Sequence, residues 1–150
     1  MNFQNKTIGL ASDHTGFEIK KYIKSHLENR GMKYIDFGTY VTDSCDYPDF
    51  AHKLCQAIET NEVEHGIALC GTGNGMAITC NRYEHVRAGL AWSEEIAKLI
   101  SAHNKANILI IPARYVNTGD IFKMVDAFLD TPFDGGRHLV RINKIGNDVC

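Results

Sequence analysis

The stretch Gly66-Ile67-Ala68-Leu69-Cys70-Gly71-Thr72-Gly73-Asn74-Gly75 decides the fold. Its first five residues are almost entirely apolar, too short a run for a helix and suited to a strand covered on both faces. Its last five hold three glycines, which lets the backbone turn tightly and approach a ligand closely. A short helix to about Tyr83 is expected next. A strand, a glycine-rich turn and a helix in that order read as part of a βαβ unit.

The same alternation extends outward. Upstream, residues 6–11 (KTIGLA) predict a first strand. Thr15-Gly16-Phe17-Glu18 fits a capping box opening a helix that runs to residue 29 or 30 and stops at Gly31. Residues 33–37 predict a second strand and residues 38–46 a polar loop. Pro48 then suits a helix start, with Phe50, Ala51, Leu54, Ala57 and Ile58 on one apolar face. Downstream, residues 88–92 predict a fourth strand, and Ser93 caps a helix with Glu94 and Glu95 in its first turn. Residues 106–111 predict a fifth strand, and Ile121, Phe122, Val125, Phe128 and Leu129 mark an amphipathic helix. The expectation is an α/β fold: a five-stranded parallel sheet covered by helices on both faces, with right-handed crossovers. Ligands of such sheets bind beyond the C-terminal strand ends, where Asp13, His14 and the segment from Cys70 to Gly75 fall. In the tail, DGGRH precedes Leu139, Val140, Ile142, Ile145 and Val149. These predict a last helix after a glycine bend, docked either on a partner subunit or on its own domain.

Bulk properties narrow the function classes. A chain of 150 residues suits one domain, 1–150, able to build a core without disulfide or metal. Its formal net charge of −2 provides no global basic field for a nucleic acid or an anionic membrane, so an anion site must be local. The opening MNFQNKTIGLAS lacks the apolar run of a signal peptide, and no stretch suits a bilayer span, so a cytoplasmic location is expected. Five cysteines (Cys45, Cys55, Cys70, Cys80 and Cys150) with no CxxC pair argue against a disulfide framework or a zinc ribbon.

Several residue groups can carry chemistry. Backbone N–H groups from Gly71 to Gly75 could hold an anion, although the loop is neither a Walker loop nor G-x-G-x-x-G; packing alone could also require the turn. Cys70, directly before the loop, reads as a base, a nucleophile or an inert buried thiol. The other four cysteines read as structural or incidental. Asp13 and His14 could bind a hydroxyl or a phosphate, or Asp13 could cap a turn. His103 and Asn104 end the helix that starts after Ser93, where His103 could equally edge a core face. Arg137, His138 and Arg141 form a cluster of potential cations that Arg114 could join. Guanidinium forks suit phosphate oxygens, and a solvated basic helix start is the alternative.

Ser12-Asp13-His14-x-Gly16-Phe17, Asp46-Tyr47-Pro48, Cys70-Gly71-Thr72-Gly73-x-Gly75, His103-Asn104 and Gly135-Gly136-Arg137-His138-x-x-Arg141, in this order, resemble the ribose-5-phosphate isomerase B family. The likeness extends to relatives acting on allose 6-phosphate and galactose 6-phosphate. It implies a three-layer, Rossmann-like αβα sandwich with a C-terminal helix, at least a homodimer, with active sites at the subunit interface. The implied reaction interconverts D-ribose 5-phosphate and D-ribulose 5-phosphate through an enediolate, with no metal or organic cofactor. Cys70 would be the base. The amides of Gly71, Gly73, Asn74 and Gly75 would hold the intermediate's oxygen, and Thr72 would assist hydroxyl protons. Asp13 and His103 would serve ring opening, Asn104 would orient the sugar, and Tyr47 would line its pocket. His14, Arg114, Arg137, His138 and Arg141 would grip the phosphate. A subgroup of the family uses a glutamate six residues beyond the cysteine position, where this chain has Met76. The alternatives are the same chemistry on a six-carbon sugar phosphate, or a non-catalytic phosphate or nucleotide sensor on a flavodoxin-like sheet. The sensor would have no use for Cys70 or His103.

Overall fold

A computed structural model describes residues 6–146. Five strands, β1 (Thr7–Ser12), β2 (Lys33–Asp36), β3 (His65–Cys70), β4 (Ala88–Leu90) and β5 (Ile108–Pro112), form one parallel sheet in the order β2-β1-β3-β5-β4. Six helices accompany it: α1 (Phe17–Asn29), α2 (Tyr47–Glu59), α3 (Asn74–Cys80), α4 (Glu94–Ala102), α5 (Thr118–Asp130) and α6 (Arg137–Ile142).

Period-two alternation sorts the strand side chains into two cores. Ile67 and Leu69 of β3, with Leu109 and Ile111 of β5, pack with α1, α4 and α5. Ala68 and Cys70, with Ile108 and Ile110, pack with α2 and α3. The three-layer αβα arrangement follows, because strands apolar at every position need cover on both faces. The chain winds one way from β1 to β2 and the other way from β3 onward. The gap between the C-terminal ends of β1 and β3 is therefore the switch point at which such sheets bind ligands.

Local chemistry departs from expectation at several places. Thr15 does not open a capping box. Asp13 instead caps a 3₁₀ turn, His14–Gly16, accepting from the Thr15 amide at 2.9 Å, and α1 starts after it without a side-chain cap. The Asp13 carboxylate, just after β1, takes both the Thr15 amide and the Thr15 hydroxyl. β4 stops at Leu90 rather than residue 92, and Trp92 is exposed. Phe122 leaves the core face of α5 to stack on His26 at 4.4 Å. Ser93 does cap α4, accepting from the Ile96 amide. The helix α6 buries no residue, and Leu139, Val140 and Ile145 are exposed. Val149 and Cys150 lie outside the described residues. Among the described residues, no helix is long and apolar enough to cross a membrane.

One buried charge pair anchors the segment that leaves β2. Lys20 is 1% exposed, and its ammonium donates to Asp36 at 2.7 Å and to the Thr39 carbonyl at 2.6 Å. Asp36 also accepts from Lys24 and from the Gly38 amide at 2.9 Å each. Burial lowers the Lys20 ammonium, and Asp36 only partly restores it. Burial would raise the Asp36 carboxyl, but the bonds from Lys20, Lys24 and Gly38 outweigh it and hold the group below its ordinary 3.8. The contribution of Asp36 is thus complete at neutral pH and is lost as pH falls through that depressed value. Replacing Lys20 with Met should destabilise the protein by about 3 kcal/mol, seen as a lowered midpoint in urea unfolding. Lys21→Met, which loses an exposed contact to Glu18 and one to the Phe17 ring, should leave the midpoint nearly unchanged.

Candidate active site

A cavity of about 530 Å³ opens at the β1/β3 switch point. Its lining includes Asp13, His14 and Thr15 after β1, Cys70, Gly71, Thr72 and Gly75 after β3, Tyr47 at the start of α2, and Arg114 after β5. Cys70 is 4% exposed yet lines this space, so the residue borders an open cavity rather than a sealed interior. Met76 is fully buried in the core beneath.

The walls are tied together through the backbone. The Asp13 amide donates to the Leu69 carbonyl, and the amides of Ala113 and Arg114 donate to the carbonyls of Cys70 and Gly71. Asp13 Oδ1 is occupied by the Thr15 amide and, at 2.5 Å, by the Thr15 hydroxyl. Asp13 therefore both caps the turn and faces the cavity. The Cys45 amide donates to His14 Nδ1 at 3.2 Å. With Nδ1 accepting, the proton of a neutral His14 ring belongs on Nε2. Cys45, read from sequence as structural or incidental, thus orients His14 from the 38–46 loop. Cys55 and Cys80 are fully buried, in keeping with a structural role.

The glycine loop is shaped by close approach as much as by turning. Gly73 has φ +77°, and a Cβ there would meet Leu90 Cδ1 at 2.4 Å. A Cβ on Gly75 would meet Tyr47 Cζ at 2.3 Å, so the tyrosine ring sits directly over this glycine. Thr72 Oγ1 accepts from the Asn74 amide at 3.3 Å. Among the described residues, the amides of Gly71, Thr72, Gly73 and Gly75 donate to no backbone carbonyl outside the regular elements. The Arg114 guanidinium lies alongside Gly71, with Nη1 at 3.5 Å from the position a Cβ would take.

The remaining candidates gather elsewhere. His103, Asn104, His138 and Arg141 line a second cavity of about 320 Å³ with Ile142 and Ile145. The His103 and His138 rings stack at 4.1 Å, 8° from parallel. Partial burial, then the charges of His103 and Arg137, lower the His138 imidazole below its ordinary value. Asp134, which sequence reasoning passed over, sits 3.9 Å from His103 Nε2. Its signal was its place just before Gly135-Gly136-Arg137-His138. Arg137 is exposed at the start of α6.

The two cavities share no lining residue, and the topology explains why. Helix α4 leaves the C-terminal edge of the sheet after β4 and must return to the N-terminal edge before β5 begins at Ile108. His103 and Asn104 therefore end up a strand length, roughly 16 Å, from the edge that carries Cys70. Asn104 also borders a groove of about 560 Å³ with Arg87, Ala88 and Ala106, around the beginnings of β4 and β5, with Ile142 at the end of α6 and with Ile145 beyond it.

Residues 8–145 match the family described as Ribose/Galactose Isomerase. Ribose-5-phosphate isomerase B of Escherichia coli is 37% identical over 140 residues, covering 93% of this chain and 94% of its own. A crystal structure of a ribose 5-phosphate isomerase from Thermotoga maritima superposes with a TM-score of 0.91 at 49% identity, covering 94% of this chain and 97% of its own. Ribose-5-phosphate isomerase B from Mycoplasma genitalium, solved with bound ribulose-5-phosphate, gives a TM-score of 0.89 at 40% identity, with 93% of each chain covered. With its five parallel strands, its switch-point cavity and its near-complete match to these relatives, this chain belongs to the ribose/galactose isomerase family.

Proposed function

We propose that this protein interconverts D-ribose 5-phosphate and D-ribulose 5-phosphate through an enediolate, in sites that two copies of the chain build together. The observation that carries the reading is Cys70 lining an open cavity, directly before a loop in which the amides of Gly71, Thr72, Gly73 and Gly75 donate to no backbone carbonyl outside the regular elements. A proton beside a carbonyl is only weakly acidic. Its removal requires a positioned base and donors for the oxygen that becomes negative. Cys70 is the base, and the amides from Gly71 to Gly75 take the enediolate oxygen. Met76, buried in the core, leaves Cys70 without the competing carboxylate that some relatives use. The ribulose-5-phosphate bound by the 40% identical Mycoplasma genitalium relative supports a five-carbon substrate.

The separation of the two cavities supports the two-copy site. Cys70, Asp13 and Arg114 stand at one sheet edge, and His103, Asn104, His138 and Arg141 at the other. One chain cannot close both around one sugar phosphate, whereas a two-fold dimer brings one edge of each copy to the opposite edge of its partner. The exposed apolar residues Leu139, Val140 and Ile145 along the tail give such a contact its hydrophobic surface. In this arrangement Asp13 and the partner's copy of His103 assist ring opening and Asn104 orients the sugar. His14, Arg114, Arg137, His138 and Arg141 hold the phosphate, whose remote binding supplies positioning energy. Tyr47, seated over Gly75, bounds the sugar pocket.

Cys70→Ala should reduce kcat by about 10³-fold or more while ribose 5-phosphate still binds in calorimetry. Near-normal turnover would exclude Cys70 as base, and Cys80→Ala should keep its turnover. Mixing Cys70→Ala with His103→Ala, each inactive alone, should restore about a quarter of wild-type activity through hybrid dimers. No recovery after subunit exchange would place both residues in one subunit's site. Arg141→Ala should raise KM about tenfold with a smaller change in kcat. A side-by-side assay should give a higher kcat/KM for ribose 5-phosphate than for allose 6-phosphate; the reverse order would favour a six-carbon substrate.

A further inference from the structure

The cluster beside α6 includes a carboxylate, Asp134, that the sugar reading does not use. His103, Asp134 and His138 each present one metal-binding atom, and these three atoms lie within 4.8 Å of one another. We propose that they form a binding site for a Zn²⁺-class transition-metal ion, and that an ion bound there blocks isomerisation by taking the two histidines. The inhibitory half rests on the assignment of His103 and His138 to the sugar site; the binding half does not.

Two imidazoles and one carboxylate are a donor set of the kind that holds zinc with a fourth position open. A tetrahedral ion with bonds of about 2.0–2.2 Å separates its ligand atoms by roughly 3.3 Å. His103 Nε2 and Asp134 Oδ2 are already 3.9 Å apart, so side-chain rotation closes the difference. The backbones behind them are fixed: the Asp134 amide donates to the Ala102 carbonyl at 2.9 Å and the His103 amide to the Leu99 carbonyl at 2.8 Å. The rings of His103 and His138 are stacked and line the same small cavity, and a modest tilt out of parallel aims both nitrogens at one ion there. Mg²⁺ and Ca²⁺, which demand oxygen ligands in larger number, do not fit this set. Arg137 and Arg141 on the same helix oppose any dication, so the site suits reversible capture rather than permanent occupancy.

Asp134 separates the two roles. At 3.9 Å from His103 it is too far for a hydrogen bond, and nothing assigns it to the sugar. Chelator-treated wild type and Asp134→Asn should first be titrated with Zn²⁺ against a chromogenic zinc indicator, then assayed for ribose 5-phosphate isomerisation over a Zn²⁺ series. The wild type should bind one ion per chain, and zinc inhibition should weaken as ribose 5-phosphate is raised. Asp134→Asn should keep zinc-free turnover and require at least tenfold more Zn²⁺ both to bind and to be inhibited. Mg²⁺ should do neither. Equal zinc affinity in the two proteins would overturn the site, as would zinc binding abolished by Cys70→Ala. Zinc binding without inhibition would overturn the blocking role. Absence of turnover in the zinc-free wild type would instead count against the isomerase reading, while the indicator titration would still test the metal site.

Discussion

In a parallel sheet all strands end at one edge, and each helix that returns the chain ends at the other. The rest of this structure depends on that constraint. It gathers Asp13, Cys70 and Arg114 within one cavity, because all three follow strand ends. It also sends His103, Asn104 and the α6 cations to the opposite edge, because they follow α4 or lie beside its end. No local rearrangement of side chains can undo a division set by strand polarity.

The strand edge is then refined by contacts that leave little freedom. Gly73 accepts a left-handed turn against Leu90, and Gly75 makes room for the Tyr47 ring. The amides of Ala113 and Arg114 hold the carbonyls of Cys70 and Gly71, so the loop starts from a braced backbone. In the proposed reaction, donors on such a backbone would need no reordering as charge develops. The Lys20–Asp36 pair acts at longer range. It holds the Thr39 carbonyl and the Gly38 amide at the root of the loop from which Cys45 reaches His14.

Much of this was legible in the sequence, for identifiable reasons. Strands such as GIALC announce themselves because burial on both faces removes polar alternatives. Gly71 to Gly75 stood out because consecutive turning and close approach select glycine. What could not be read was choice among near-equal local partners: Asp13 rather than Thr15 as a cap, or Phe122 on His26 rather than in the core. That His103 and Cys70 belong to different edges follows from linear order only once the sheet is known to be parallel, since the end of α4 then precedes the start of β5. Cys45 was overlooked because it acts through His14, distant in sequence, and Asp134 because only the fold brings it near His103.

The absence of shared lining residues between the two cavities bears on how such proteins diversify. Changes at the strand edge alter the machinery around the thiol without touching the histidine–arginine rim, and the reverse also holds. After gene duplication, each descendant can let one rim decay while the other keeps it intact. A symmetric assembly can thereby become an obligate pair of unlike polypeptides through loss alone, with no new chemistry invented.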